Sequence, residues 1–405
     1  MKKLFTLLLL ITAFSAKADY WTQKAMFPGD NRRGAFSFSI SDKGYIGCGT
    51  VSNGVTTAHF WEYDQPTNTW TQKADFGGGA GGGSANFSVG NKGYVATGGN
   101  SSGINQNLWE YDPAVNTWTQ KANFGGSARS AAVGFSVSTK GYVGTGSNNT
   151  GSCYQDFWEY NPVLNMWVQL NSLPGIARWG ATSFSIDMKG YIATGYDNNS
   201  GQRLNDLWEY DLITNSWTQK ANFYSGRWGA AGFSVGNKGY IGCGDDSALA
   251  NDFWEYDPIS NGWTQKTNFP GLPREAMIFF SMNCKGYIGL GGQDAFPLFT
   301  DFWEYTPDSA CTTAIEEFQI SNFDFQISPN PAHQYANITW SSSENKNAEI
   351  IITTLEGKKV YQTKLLTSGF RPDSYRVPTS DFPKGIYLVE LNNGKEKMVK
   401  KFLKE

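Results

Sequence analysis

The sequence predicts an all-β protein: a six-bladed propeller, a ring of four-stranded units shut by an N-terminal outer strand, followed by a small β-sandwich. Three observations predict it. A Trp-Glu-Tyr triplet opens at Trp61, Trp109, Trp158, Trp208, Trp254 and Trp303, at spacings of 48, 49, 50, 46 and 49 residues; a period of about fifty with strand-like units inside it marks propeller blades, not helical solenoids. The composition, with 46 Gly, 15 Trp, 20 Tyr and 27 Phe in 405 residues, favours strands joined by tight turns. Finally, Tyr20-Trp21-Thr22-Gln23-Lys24 copies the segment that follows the other triplets, yet it stands ahead of the first repeat and no copy follows Trp303.

The chain begins with an address. Lys2 and Lys3 form a basic start, Leu4 to Phe14 an apolar run too short to cross a bilayer, and Ala16-Lys17-Ala18 a small-residue cleavage site. Residues 1–18 read as a signal peptide, with the mature chain starting at Asp19. A transmembrane anchor would need about 20 apolar residues, and no later stretch supplies them. The expectation is an exported, soluble product with no transmembrane segment.

Residues 19–305 form the predicted propeller. In each repeat strand A alternates small and large residues, as in Ala35-Phe36-Ser37-Phe38-Ser39-Ile40. Strand B follows a tight turn and begins Lys-Gly-Tyr (Tyr45, Tyr94, Tyr142, Tyr191, Tyr240, Tyr287), ending in Gly-x-Gly or Gly-Gly. Strand C carries the triplet. The next turn uses Asp64, Asp112, Asn161, Asp211 or Asp257, side chains that bond their own downstream backbone, and Asn68, Asn116, Asn165, Asn215 or Asn261 closes it. Strand D is Trp-Thr-Gln-Lys or a variant. Blades converge on an axis, so the strand rich in Ala, Ser and Gly lies innermost, and Trp and Tyr, Trp158 among them, fill the wider outer gap as core. Pairing Tyr20–Lys24 beside the last strand C completes the sixth blade and leaves no open edge, which an open solenoid would not achieve.

Charge separates two modules. Residues 19–324 carry a net −10 and residues 325–405 a net +4, and an acidic main module excludes nucleic acid as the expected partner. The cysteines, Cys48, Cys153, Cys243, Cys284 and Cys311, have no short metal-ligand spacing. Cys48 and Cys243 occupy equivalent Gly-Cys-Gly positions and read as core thiols; a bridge involving Cys311 stays open, and an odd count leaves at least one thiol unpaired within the chain. Residues 306–324 lack the repeat and read as a linker. From Phe325, short alternating strands over about eighty residues suggest a β-sandwich without an internal disulfide.

Two family resemblances follow from these motifs. The succession of an Arg-x-Gly-Ala strand, a Lys-Gly-Tyr strand ending in Gly-Gly, an Asp-x-Trp-x-Tyr-Asp-Pro turn and Asn-x-Trp resembles the kelch repeat over residues 19–305. The copies depart from it in places. Gly-Gly is complete only at Gly98-Gly99 and Gly291-Gly292, the strand-A arginine (Arg33, Arg129, Arg178, Arg227, Arg274) is missing from the second blade, and His59 or Asn107 stands two before the first two triplet tryptophans. In residues 325–405, the Pro329-Asn330-Pro331 opening, the Leu355 to Val360 turn, the Phe382 to Val389 segment and the Lys-rich last strand resemble the C-terminal sorting domain of the type IX secretion system. That resemblance implies passage across the outer membrane, the secretion machinery as a partner, and removal of the domain at the cell surface. On the residues alone, a stabilising cap is the other reading.

Catalytic and metal chemistry find little support. His59 and His333 are the two histidines and lie in different modules, which excludes a two-His metal centre in the propeller and disfavours a Ser-His-Asp relay; copper enzymes among kelch propellers need a His pair that is absent here. The triplet glutamates are equivalent by repeat, whereas a glycosidase pair must differ from its neighbours, so they read as structural. Asp197-Asn198-Asn199-Ser200-Gly201 lacks the ligand set and closing Glu of a calcium loop. Gly77 to Gly83 is followed by no helix and no Lys-Ser/Thr, so it is no phosphate cradle. No metal or cofactor is expected.

Function is expected where the repeats differ, in the D-to-A and B-to-C loops of one face. Arg178-Trp179 and Arg227-Trp228 hold equivalent places in neighbouring blades, with Tyr196, Tyr224, Asp197, Asp245 and Asp246 on nearby loops. Aromatic faces beside guanidinium groups suit sugar rings or anions. The competing reading is that each Arg ties down a loop carbonyl and each Trp fills the rim. The expected function is a monomeric recognition or adhesion protein for extracellular glycan or protein. The alternative is a metal-independent sugar-active enzyme, which resemblance to kelch-type sialic-acid mutarotases implies.

Overall fold

The computed structural model describes residues 18–293, 297–308, 325–328, 332–340, 347–354, 358–366, 374–392 and 397–404. The leader through residue 17, most of the expected linker with Cys311, the Pro329–Pro331 opening and residues 355–357 lie outside the described residues. The chain divides into two compact units, Met1–Thr313 and Ala314–Glu405.

The first unit contains six four-stranded antiparallel sheets in A-B-C-D order. Their A strands are Phe36–Ile40, Ala85–Val89, Val133–Val137, Thr182–Ile186, Ala231–Val235 and Ile278–Met282; each touches the next, and the sixth touches the first. The sixth sheet takes its D strand from the other end of the chain: Tyr20–Gln23 pairs antiparallel with Phe302–Thr306, in register from Tyr20 opposite Thr306 to Gln23 opposite Trp303. Every blade thus has an outer strand.

Local sequence explains how neighbouring blades pack. Strand-A phenylalanines Phe38, Phe87, Phe135, Phe184, Phe233 and Phe280 are buried and lie against the Lys-Gly-Tyr glycine of the following blade. A Cβ on Gly93, Gly141, Gly190, Gly239, Gly286 or Gly44 would stand 2.0–2.3 Å from that ring, so only glycine fits. On strand C the fully buried positions are Phe157 and Tyr160 and their equivalents. Trp158, expected in the core, is half-buried instead: it shares a face with Tyr160 and packs at the margin of that core cluster, beside Phe124 and Gly125. Aromatic contacts carry the core across the joint between sixth and first blades, where Phe302 meets Tyr63 edge-on with centroids 4.9 Å apart.

Two circles of backbone hydrogen bonds link the blades. In one, Gly34, Gly83, Ala131, Gly180, Gly229 and Ala276 each donate to the preceding member, and Gly34 donates to Ala276, at 2.7–3.1 Å. In the other, Gly49, Gly98, Gly146, Gly195, Gly244 and Gly291, which lie just past strand B, donate at 2.7–2.9 Å to Gly81, Arg129, Arg178, Arg227, Arg274 and Arg32 of the next blade. These glycines have φ of 79–108°, a region that L side chains rarely adopt.

Closure extends to the outer rim. Asn165 Oδ1 accepts from the Ala122 N–H (2.9 Å) and from the Tyr160 hydroxyl (2.8 Å). At the sixth blade Asp19 takes that role, accepting from the Thr267 N–H (2.8 Å) and the Tyr305 hydroxyl (3.1 Å). Trp21 Nε1 donates to Thr267 O (2.9 Å) as Trp167 donates to Ala122 O (3.1 Å).

The second unit pairs a three-stranded sheet (Phe325–Ser328, Tyr335–Trp340, Ser374–Pro378) with a four-stranded one (Lys359–Leu366, Asn347–Thr354, Gly385–Asn392, Lys397–Lys404). Ala336, Ile338 and Val377 from the first meet Ile350, Ile352, Val389, Leu391 and Phe402 from the second in one core. Period-two burial at Tyr387, Val389 and Leu391 is what a sheet with one covered face requires.

The glycine and phenylalanine contact is open to a direct test. Gly239→Ala places a methyl 2.3 Å from the Phe184 ring and is expected to destabilise the propeller by about 1–3 kcal/mol, read by denaturant unfolding; an unchanged midpoint would contradict the packing.

Candidate functional site

The D-to-A loops carry Arg32, Gly81, Arg129, Arg178, Arg227 and Arg274 at equivalent positions, since their carbonyls form the second circle. The arginine side chains turn inward and are buried. In blades three to six the guanidinium meets the aspartate two residues before the triplet tryptophan. Arg129 Nη1 and Nη2 donate to Asp156 Oδ1 (2.6 Å) and Oδ2 (2.8 Å), and Arg227 to Asp252 at 2.6 and 2.9 Å; Arg178 pairs likewise with Asp206, and Arg274 with Asp301. The second carboxylate oxygen also accepts the indole Nε1–H of Trp158, Trp208, Trp254 or Trp303. Each Nη1 donates as well to the carbonyl just past strand B, such as Thr145 O at 2.8 Å. Burial raises the Asp206 pKa, but hydrogen bonds and charge from Arg178, with the Trp208 hydrogen bond, outweigh it, and the net shift is downward.

This geometry corrects the expectation for Arg178 and Arg227. Neither presents its guanidinium to solvent, because an aspartate of the same blade already occupies it. They are clamps that hold the loop to strands B and C. In blade two, Gly81 replaces the arginine and Asn107 the aspartate, and a cavity lined by Phe76, Gly81, Asn105, Asn107 and Trp109 lies there. In blade one the buried arginine is Arg32, not the expected Arg33, which follows it and pairs with Glu275, and His59 stands at the aspartate's place.

The residue after each clamp position lies at the inner rim. Trp179 and Trp228 stand together there, with ring centroids 4.9 Å apart and planes at 50°. Trp179 pairs through its backbone with Tyr196, and Trp228 with Asp245. The Tyr196 ring meets Trp179 at 5.8 Å and 66°, and Trp179 Nε1 donates to Asn198 Oδ1 (2.8 Å). Arg203 Nη2 donates to both oxygens of Asp245 (3.1 and 3.2 Å) and its guanidinium lies 6.0 Å from the Tyr196 ring. Trp179, Trp228, Tyr196, Arg203 and Asp245 are all half-buried. Sequence reasoning missed Arg203; its signal was its place opposite Tyr196 across a short B-to-C hairpin. Tyr224 is not part of this group. It is 68% exposed and stacks on Trp254, centroids 5.0 Å apart and planes at 15°. Asp197 is spent on its own loop: its carboxylate accepts from Ser200 Oγ and the Asn199 and Ser200 N–H groups, with the Ser200 hydroxyl foremost in holding its pKa low against burial.

The remaining candidates are structural. Each triplet glutamate accepts the hydroxyl of the strand-B tyrosine opposite, as Glu159 does from Tyr142 (3.0 Å) and Glu304 from Tyr287 (2.6 Å), and lysines such as Lys140 pair with it. Burial pushes the Cys48 and Cys243 thiols up to about 12, which keeps them inert. Cys284 is disulfide-bonded.

The clamp sets an expectation for stability. Asp206→Asn strands the buried Arg178 charge and is expected to cost about 3–5 kcal/mol. The depressed Asp206 pKa contributes stability that is present above the ordinary Asp value of 3.8 and lost as pH falls through the lower folded value. Unfolding curves at neutral pH and at descending acid pH read this: the gap between wild type and variant narrows as pH drops, and a gap independent of pH would contradict the pairing.

Comparison with known proteins agrees with the architecture. Residues 129–292 match the model of the KLHDC2/KLHL20/DRC7 Kelch-repeats domain, and residues 326–405 match the Secretion system C-terminal sorting domain. The chain is similar to the solved structure of YjhT, at 17% identity and a TM-score of 0.60 over 68% of this chain and 95% of that one; at this identity the likeness concerns the fold. No curated protein matches the chain. The chain therefore combines a kelch-repeat β-propeller with a C-terminal sorting domain of the type IX secretion system.

Proposed function

We propose that this secreted kelch protein is a recognition module that binds glycan at the rim of Trp179, Trp228 and Tyr196. The observation that carries the reading is the angled tryptophan pair beside a half-buried Arg203–Asp245 ion pair. Indole faces stack on the apolar face of a sugar ring, and an arginine-carboxylate pair supplies oriented donors and acceptors for hydroxyls. A turnover role is less well supported, because Arg178 and Arg227, on which the enzyme reading relied, are occupied by Asp206 and Asp252. Protein ligands remain the second class for the same rim, as aromatic and arginine side chains also dominate protein interfaces.

In this reading the mature chain begins at Asp19 after loss of residues 1–18 and acts as a monomer. Residues 306–324 link the propeller to the sorting domain, which takes the chain across the outer membrane and is cut away at the surface.

Two expectations follow. Trp179→Ala and Trp228→Ala should each weaken retention on a glycan array by about tenfold or more while the melting temperature moves little, the residues being half-buried; unchanged retention in both would count against the rim. Incubating the wild type with the retained sugars and following anomeric composition by NMR separates binding from turnover. Deleting residues 326–405 should leave the propeller inside the outer membrane; its appearance in the medium at wild-type level would remove the sorting role.

A further inference from the structure

In blades three to six a single carboxylate gathers three donors: both Nη groups of the buried arginine and the indole Nε1 of the triplet tryptophan. Blade one has the donors without that acceptor. Arg32 is fully buried; its Nε donates to Asp30 O (3.0 Å) and its Nη1 to Cys48 O (3.0 Å) and His59 O (3.4 Å). Arg32 Nη2 and Trp61 Nε1 are buried, and neither has a hydrogen-bond acceptor among the described residues. The residue at the aspartate's place, His59, has a side chain 47% exposed and Nδ1 3.9 Å from Asp30 Oδ2.

A buried guanidinium without a facing counter-charge is costly, and proteins ordinarily relieve it by pairing. Burial lowers the Arg32 pKa, partly offset by the charge of Asp30. A glycine lies beside the guanidinium, as in the sister blades. A Cβ on Gly29 would lie 3.1 Å from Arg32 Nη2, while one on the equivalent Gly126 would lie 2.8 Å from both Arg129 Nη2 and Asp156 Oδ2. Glycine neighbours Nη2 in both cases, and in blade three the same glycine also neighbours the carboxylate that Arg129 holds.

We propose that blade one binds an external carboxylate, with Arg32 Nη2 and Trp61 Nε1 as its principal donors and His59 at the entrance. With Nη1 engaged by Cys48 O and His59 O, a planar, two-oxygen anion can accept from Nη2 and the Trp61 indole together in a way that chloride does not. The ligand class is a carboxylate carried by a small organic acid or by an acidic sugar. The site belongs to a different blade from the Trp179 and Trp228 rim, so it stands or falls independently of glycan binding there.

The test titrates the full chain with sodium formate at constant ionic strength, chloride being the reference, and reads the Trp61 indole N–H resonance, assigned with Trp61→Phe. Separate arms use glucuronate and glucose. The expected result is a saturable shift of the Trp61 signal with formate. His59→Asp, which restores the blade's own carboxylate, should weaken formate binding at least tenfold and raise the melting temperature, showing that the variant is folded. Asp30→Asn should strengthen binding by removing a competing charge. Glucuronate acting like formate assigns the site to sugar acids, and formate acting alone assigns it to small organic acids. The proposal is overturned by no Trp61 shift at saturating formate, by glucose matching glucuronate, or by His59→Asp binding as wild type does. A shift seen only in Asp30→Asn also overturns it, since Asp30 would then be the resident counter-charge.

Discussion

The circle of backbone hydrogen bonds through Gly34, Gly83, Ala131, Gly180, Gly229 and Ala276 is the constraint on which the structure depends. Each bond joins two blades, and the set has no end only because the sixth blade meets the first. A single backbone bond contributes about 1 kcal/mol net, so the circle matters less for its sum than for its geometry. It holds six loops at one radius and turns the residue before each member, Trp179 and Trp228 among them, toward the axis side of the loop face.

Closure in turn depends on residues far apart in sequence. Tyr20–Gln23 supplies the missing outer strand, Asp19 takes the place that asparagines hold in the other five blades, and Phe280 seats on Gly44 across the joint. Without that strand, the backbone of Phe302–Thr306 would form an open sheet edge, a template for pairing with another chain. The inner packing has little tolerance, because the ring of one blade fills the space where the next blade's glycine would carry a side chain.

Much of this was legible in the sequence. The Trp-Glu-Tyr period, the orphan copy at Tyr20–Lys24 and the small residues of strand A carry the strand order and the closing pair, since repetition makes one local pattern visible several times over. The candidate site was less legible. Arg178 and Arg227 look like loop-face arginines in a linear reading, but their aspartates lie more than twenty residues downstream, and only the fold brings Asp206 and Asp252 beneath them. One clue was present in blade two, which lacks both arginine and aspartate, at Gly81 and Asn107, although blade one keeps Arg32 with His59 at the aspartate's place. Trp158 reads as core on hydrophobicity, but a blade buries both faces of strand C, Phe157 toward one neighbour and Tyr160 toward the other, and Trp158 covers only the margin of the second cluster. Arg203 gave little warning, because its partner Asp245 belongs to the next blade.

The most direct measurement is amide hydrogen exchange at Gly34, Gly83, Ala131, Gly180, Gly229 and Ala276 in the chain with and without residues 19–24. If the ring is one closed unit, removing the N-terminal strand should raise exchange at all six amides together, including those in blades three and four, farthest from the cut. Faster exchange confined to Gly34 and Ala276, with the other four amides as protected as before, would contradict closure as the property that holds the blades in place.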